Sequence, residues 1–383
     1  MQKGLHNMPE NVTLIATTAM GLESIVATEV KNLGYDTQVE NGKVIFQAPI
    51  SAIPRANLWL RSADRIKIQV GQFKATTFDA LFEATKALPW EHFMTEDAKF
   101  PVSGKSHKST LFSVSDCQAI VKKAIAERLK LKYGIAFNMP EKKGLFKIEV
   151  ALLKDMATLT IDTSGNGLHK RGYRVGQGDA PLKETLAAAL VMLTNWKPDR
   201  PLIDPFCGSG TLLIEAALIG QNIAPGFNRH FASEEWPLIK SNMWDNAFEE
   251  AEDVARYDVE LDIAGSDIDH KAVKIASNNA QEAGLGDLIS WKQMQVRDLS
   301  IKEQGGYMIG NPPYGERMGD IKKITPVYQT IGKIIKENPS WSIYILTAFK
   351  DFEKHVGRKP TKKRKLFNGF IRTDYYQYFG KKN

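Results

Sequence analysis

Cysteine is scarce in this chain. Only Cys117 and Cys207 occur among 383 residues. Neither has the paired spacing of a zinc site or a disulfide framework, so metal chemistry is not expected. Long apolar runs are missing as well: no segment approaches the roughly 20 residues that span a bilayer. The opening MQKGLHNMPENVT lacks the apolar core of a signal peptide. The expected setting is the cytoplasm, with no membrane partner.

Acidic residues are in mild deficit, 44 against 51 Lys and Arg, which leaves a formal charge of +7. The deficit is local. Residues 351–383 hold ten Lys/Arg against three Asp/Glu, and the rest of the chain is balanced at 41 of each. The run KPTKKRK (359–365), with Lys362, Lys363, Arg364 and Lys365, suits either a solvated loop or a polyanionic partner. With 43% hydrophobic and 25% charged residues, the composition is that of a globular protein and not a disordered one. The length allows two or three domains.

Hydrophobic periodicity divides the chain. Residues 12–35 predict a short strand, a small-residue turn and a helix closed by Gly34. VENGKVIFQA (39–48) places Asn41-Gly42 between strand-forming runs, the pattern of a hairpin. A helix at 53–61, a strand at 65–73, an amphipathic helix at 79–93 ended by Pro89-Trp90, a helix at 116–130 and strands near 145–151 and 156–162 follow. Between them GKSHKSTLFS (104–113) predicts a basic loop carrying Lys105, His107 and Lys108. These are two small α+β units. The polar stretch 162–181, with five glycines, predicts a linker and a boundary near 165. Beyond it PLIDPF, DIAGSDID, WKQMQVRDL, GYMIGNPPY and SIYILTAF predict strands alternating with helices. That alternation indicates a doubly wound α/β domain on a parallel sheet, with FIRTDYYQYF as a final antiparallel strand.

The first strand-to-helix turn of that domain is DPFCGSGT (204–211), whose glycines permit a tight turn and let backbone N–H groups approach a ligand. Two departures argue against a nicotinamide cofactor. Leu213 stands where a third glycine belongs, and the next strand-end acid, Asp267, lies 59 residues beyond Gly208 instead of about 20. Asp267 suits a ribose diol and Asp298 an adenine amino group; each also suits a helix cap or turn.

NPPY (311–314) poses a chemical problem of its own: an amide followed by two residues without backbone donors. An exocyclic amine on a nucleobase is a poor nucleophile because its lone pair is delocalised into the ring. Two acceptors holding its N–H groups turn that lone pair toward an electrophile. Asn311 offers a side-chain carbonyl, and Pro312, like Pro313, offers a backbone carbonyl with no competing N–H. Tyr314 offers a ring on which an extruded base stacks.

Together these stretches resemble the class I S-adenosylmethionine-dependent methyltransferases that act on planar nitrogen. HKRGYR (169–174), APLKETLAAAL (180–190), DPFCGSGTLLIEAA (204–217) and NPPYGER (311–317) narrow the resemblance to THUMP-containing RNA methyltransferases, nearest the bacterial large-subunit rRNA guanine-N2 methyltransferases with a single methyltransferase domain. The resemblance implies a ferredoxin-like segment (1–60), an RNA-binding THUMP domain (61–165) and a Rossmann-like methyltransferase domain (166–383). It implies S-adenosylmethionine as donor, held by Asp204, Phe206, Cys207, Gly208, Gly210, Thr211, Asp267, Ile268 and Asp298. Lys183, Glu184 and Thr185 belong to the segment that closes over the donor, or form a plain helix start. Guanine-N2 in ribosomal RNA is the expected target. Adenine-N6, transfer RNA, a protein glutamine and a non-catalytic RNA chaperone stay open as alternatives.

Overall fold

A computed structural model describes residues 10–136, 139–176, 181–315 and 321–381. Residues 177–180 of the linker and Glu316-Arg317 of NPPYGER lie outside the described residues. The chain forms two compact units, neither of them one continuous stretch. The first takes residues up to Thr18, Val26–Leu168 and His230–Glu250; the second takes Ala19–Ile25, His169–Arg229 and Ala251 onward.

Within the first unit run β1 (Val12–Thr17), α1 (Glu23–Asn32, whose first turn belongs to the second unit), β2 (Gln38–Glu40), β3 (Lys43–Ala48), α2 (Ala52–Trp59), β4 (Arg65–Lys74) and α3 (Phe78–Ala87). They are followed by β5 (Ala98–Lys99), β6 (Val102–His107), α4 (Val114–Tyr133), β7 (Lys143–Leu145), β8 (Lys147–Leu153) and β9 (Met156–Asp162). The two α+β units expected from the sequence share one seven-stranded sheet, ordered β2-β3-β1-β4-β9-β8-β6. The ten-residue β4 joins them, pairing β1 through Arg65–Ile68 and β9 along nearly its whole length.

The basic stretch expected to be a loop is a strand as far as His107. β6 lies at the sheet edge, parallel to β8, and its side chains are alternately half-buried and exposed. An edge strand carries polar and charged residues because they oppose the addition of further chains, so its sequence lacks the apolar alternation that marks interior strands. Residues 230–250 complete this unit from a distance in sequence. Trp236 stacks on Phe146 at 4.6 Å between ring centroids, and Arg55 of α2 makes a paired contact with Glu250 at 2.7 Å.

In the second unit α5 (Glu184–Met192), β10 (Leu202–Asp204), α6 (Thr211–Gly220), α7 (Ser241–Asp253, mostly in the first unit), β11 (Ile263–Asp267) and α8 (His270–Glu282) precede β12 (Ile289–Gln293) and β13 (Tyr307–Gly310). After them come α9 (Ile321–Glu337), β14 (Ser342–Thr347), α10 (Phe352–Val356), β15 (Lys362–Asn368) and β16 (Ile371–Tyr378). The sheet order is β12-β11-β10-β13-β14-β16-β15. The first five strands are parallel, and β16 is antiparallel to both neighbours. Both faces are covered: on β14, Tyr344 and Leu346 join the core containing α5 and α6, whereas Ile343 and Ile345 join that of α9 and α10. This is the expected doubly wound α/β sheet, with FIRTDYYQYF as its antiparallel strand.

Two expectations change. The KPTKKRK run enters β15, where Leu366 supplies the buried position and the lysines are exposed. WKQMQVRDL leaves the sheet at Gln293, and Val296–Asp298 form a short 3₁₀ turn. Helices α7, α9 and α10 correspond to no segment that the sequence marks as helical.

Candidate active site

The strand order reverses at β10. Its neighbours β11 and β13 are reached by crossovers running in opposite directions, and such a switch point opens a crevice at the carboxyl ends of the strands. Here it is a cavity of about 680 Å³, formed by the turns after β10, β11 and β13 together with Pro181, Leu182, Asn368 and Ile371.

From the β10–α6 turn, Asp204, Phe206, Cys207, Gly208 and Thr211 line the cavity. Gly210 serves the turn differently. It has φ +82°, and a Cβ there would stand 2.8 Å from Trp291 and 3.0 Å from Ala276, so a side chain would separate α6 from the strands and helix beside it. Asp204 is buried, and its carboxylate accepts the Phe206 N–H at 2.9 Å. Burial pushes its pKa up to about 8, the Phe206 N–H opposes that rise, and Asp267 adds to it. Burial likewise pushes the Cys207 thiol up, with help from Asp204 and Asp267, which leaves no thiolate at neutral pH to act as a nucleophile.

Asp267 sits at the end of β11 with Ile268, and both line the cavity. Its oxygens accept from Gly208 N–H and Asp269 N–H, each at 3.0 Å. The capping of α8 falls to Asp269, which accepts from the Lys271 N–H. A carboxylate has about four acceptor positions. Two of those on Asp267 fix the turn, and the remainder are available to a diol.

After β13, Asn311, Pro312, Pro313 and Tyr314 all line the cavity. The Tyr314 hydroxyl donates to Asn311 Oδ1 at 2.7 Å, and Asn368 Nδ2 lies 3.5 Å from that hydroxyl. This contact was not foreseen. It fixes the amide with its oxygen toward Tyr314 and leaves that oxygen a second lone pair. Pro313's carbonyl accepts from Tyr328 at 2.8 Å, and the Tyr328 ring packs face to face with Phe349 at 5.0 Å. Among the described residues, no donor reaches the carbonyl of Pro312.

With Gly210, five expected donor contacts do not line the cavity. Asp298 stands on the 3₁₀ turn, 59% exposed and 3.8 Å from Arg297, while Gln295, Val296 and Arg297 border the cavity. Lys183, Glu184 and Thr185 are replaced at the cavity by Pro181 and Leu182. Glu184 is buried, and Arg174 holds it at 2.7 Å while also donating to Leu182 O and Thr211 Oγ1. Burial raises the Glu184 pKa despite the guanidinium. Arg174 thus ties the segment before α5 to the start of α6, a role that no local sequence signal marks. Beside it, Arg171 and Tyr173 both meet the fully buried Glu215, at 3.3 and 3.0 Å.

The cavity suits S-adenosylmethionine. Asp204 is a buried carboxyl group with no cationic partner among the described residues, and a sulfonium with an α-amino group supplies the positive charge that favours its ionised form. Asp267 retains acceptor capacity for a ribose. The comparisons agree with this fit. Residues 171–377 match the RMKL-like methyltransferase domain, 13–67 the RlmL ferredoxin-like domain and 75–162 the THUMP domain. YpsC of Bacillus subtilis (strain 168), named as an RNA methyltransferase, is 61% identical over 96% of each chain. The ribosomal RNA large subunit methyltransferase K/L of Syntrophotalea carbinolica is 32% identical over 95% of this chain and 53% of its own length. Among solved structures, a Listeria monocytogenes protein described as a predicted N6-adenine-specific DNA methylase is 59% identical, covers 97% of each chain and has a TM-score of 0.93. SMU.472, solved with SAH, is 48% identical over 98% of this chain and 100% of that one, with a TM-score of 0.94. The chain belongs to the RMKL-like family of THUMP-containing, S-adenosylmethionine-dependent RNA methyltransferases.

Proposed function

We propose that the chain methylates the exocyclic N2 amine of a guanosine in large-subunit ribosomal RNA. The observation carrying this reading is the acceptor pair after β13. Asn311 Oδ1 has one lone pair committed to Tyr314, and the Pro312 carbonyl has no described donor, so two oxygens on adjacent residues are available to the two N–H groups of an amine. Holding both N–H groups draws the nitrogen lone pair out of conjugation and fixes its direction, and alignment of this kind contributes several kcal/mol to barrier lowering. S-adenosylmethionine supplies an electrophilic methyl group on a sulfonium. Asp267 would hold its ribose, and Tyr314 would stack on the base. The large-subunit ribosomal RNA target is supported by the K/L relative, which is named as a methyltransferase of that RNA.

Adenine-N6 is an exocyclic amine of the same kind, and the Listeria protein is described as acting on it. The test therefore identifies the nucleoside. Protein-free large-subunit rRNA and, in a parallel reaction, transfer RNA are incubated with the protein and S-adenosylmethionine carrying a deuterated methyl group, then digested to nucleosides for mass spectrometry. Label in N2-methylguanosine is the expected result. Label in N6-methyladenosine, or in transfer RNA alone, overturns it.

A further inference from the structure

β15 and β16 are closed by the pair Asn368 and Ile371, which leaves Gly369 and Phe370 as a two-residue turn. Gly369 has φ +62° and Phe370 does not share the left-handed region. This is the pattern of a turn that requires glycine at its first central position and makes no demand for an aromatic at its second. Phe370 is nevertheless fully exposed, at 105% of its reference area. A single exposed apolar side chain carries no meaning by itself. The position of this one does, because Asn368 and Ile371 on either side of the turn line the cavity and Asn368 approaches the Tyr314 hydroxyl. The nearest cations on the two strands are Lys365 and Arg372, both exposed. Among the described residues, neither is in an ion pair.

We infer that Phe370 stacks on the nucleobase next to the methylated one, with Lys365 and Arg372 meeting the phosphates on either side. The inference rests on the RNA substrate proposed above. Extruding a target base into the cavity deprives its neighbour of a stacking partner, and a ring at the cavity rim replaces that partner. Phe370 does not itself line the cavity, which assigns it to the neighbour and leaves the target to Tyr314.

The test compares Phe370→Ala, Phe370→Leu and Phe370→Tyr with the parent protein, using anisotropy of a fluorescent large-subunit rRNA fragment that the parent methylates. Stacking predicts that Ala and Leu both weaken RNA binding by roughly 5- to 150-fold, while Tyr stays close to the parent, because only a π-face replaces a lost base. Calorimetric donor affinity should be unchanged in all three. If Leu binds RNA as well as Phe, the residue is an apolar docking point for another surface and the inference falls. Unchanged binding in the Ala variant also overturns it. If the parent labels adenine, the guanine reading fails while this inference stands. If the parent labels no RNA, both fall.

Discussion

Each of the two seven-stranded sheets ends in a basic edge strand, β6 in the first unit and β15 in the second, yet the charges are disposed differently. On β6, Lys105 meets Glu149 at 3.0 Å, and Lys67 of β4 meets the same carboxylate at 3.0 Å, so the β6 lysine has an acidic partner within its own sheet. On β15, Lys363 pairs with Glu353 and Arg364 is held by the Gly21 carbonyl and Ser24, while Lys362 and Lys365 reach no carboxylate among the described residues. Lysine on an exposed edge already has a folding explanation in both places. What sets β15 apart is that it runs into a turn beside the cavity. The wider contrast is topological. The first sheet is antiparallel apart from β6 with β8, whereas the parallel second sheet gathers its turns after β10, β11 and β13 around one crevice.

If chemistry resides wholly in the second sheet, Asn311→Ala should lower the single-turnover transfer rate on the order of 100-fold or more. Donor affinity measured by calorimetry should remain near the parent value. Asp267→Ala should do the reverse, weakening the donor directly, and equal loss of donor affinity in both variants would undo the division of roles. Lys105→Gln on the first sheet should leave the transfer rate at saturating RNA unchanged.

Stability offers the next contrast. Glu215→Ala leaves Arg171 buried without its carboxylate, and breaking a buried pair in this way costs about 3–5 kcal/mol. Hydrogen exchange of the α6 amides should accelerate accordingly. Lys105→Ala on the more exposed pair should cost about 0–1 kcal/mol; comparable losses would mean that burial is not what separates the two.

A pH-dependent effect follows from Asp204. Its folded pKa, up at about 8 against an ordinary 3.8, means that the folded chain keeps a proton which the unfolded chain releases. The sign is therefore fixed: stability from this group declines as pH rises from about 4 to 8 and levels off above that. A cationic ligand favours the ionised form, so donor binding at pH 7 should release a proton, detected by calorimetry in buffers of different ionisation enthalpy. Asp204→Asn should abolish the release. Proton release that persists in this variant would assign it elsewhere.

The smallest expected difference lies in salt dependence. Lys362→Gln and Lys365→Gln should each lower the magnitude of the slope for RNA binding by roughly 0.7–0.9 if they contact phosphate. Lys105→Gln should lower it by less, because Glu149 already competes for that charge. Equal slopes for all three variants would erase the distinction between the edges.

How much of this was legible beforehand depended on how local the signal was. Asn41-Gly42, the glycines of DPFCGSGT and the apolar strands of the second unit each act through neighbours in sequence, and those elements formed where the pattern placed them. The basic edge strands β6 and β15 escaped because their exposed sides demand the residue types of a loop. Arg174 with Glu184 and Thr211, and Tyr314 with Asn368, are brought together by tertiary structure, and no spacing rule reports such pairs. Even Asn311 and Tyr314, three residues apart, concealed a hydrogen bond that depends on the turn between them.

The interleaving of the two units has a consequence for how the protein is made. A ribosome has finished β9 long before it reaches Trp236, which covers Phe146, or Glu250, which holds Arg55. The growing chain must therefore carry an open first core while much of the catalytic half is still being synthesised. Domains generally complete folding as units during synthesis, but here the amino-terminal unit cannot close before residue 250 has emerged. A nascent chain arrested ahead of that point should remain sensitive to protease within the first sheet.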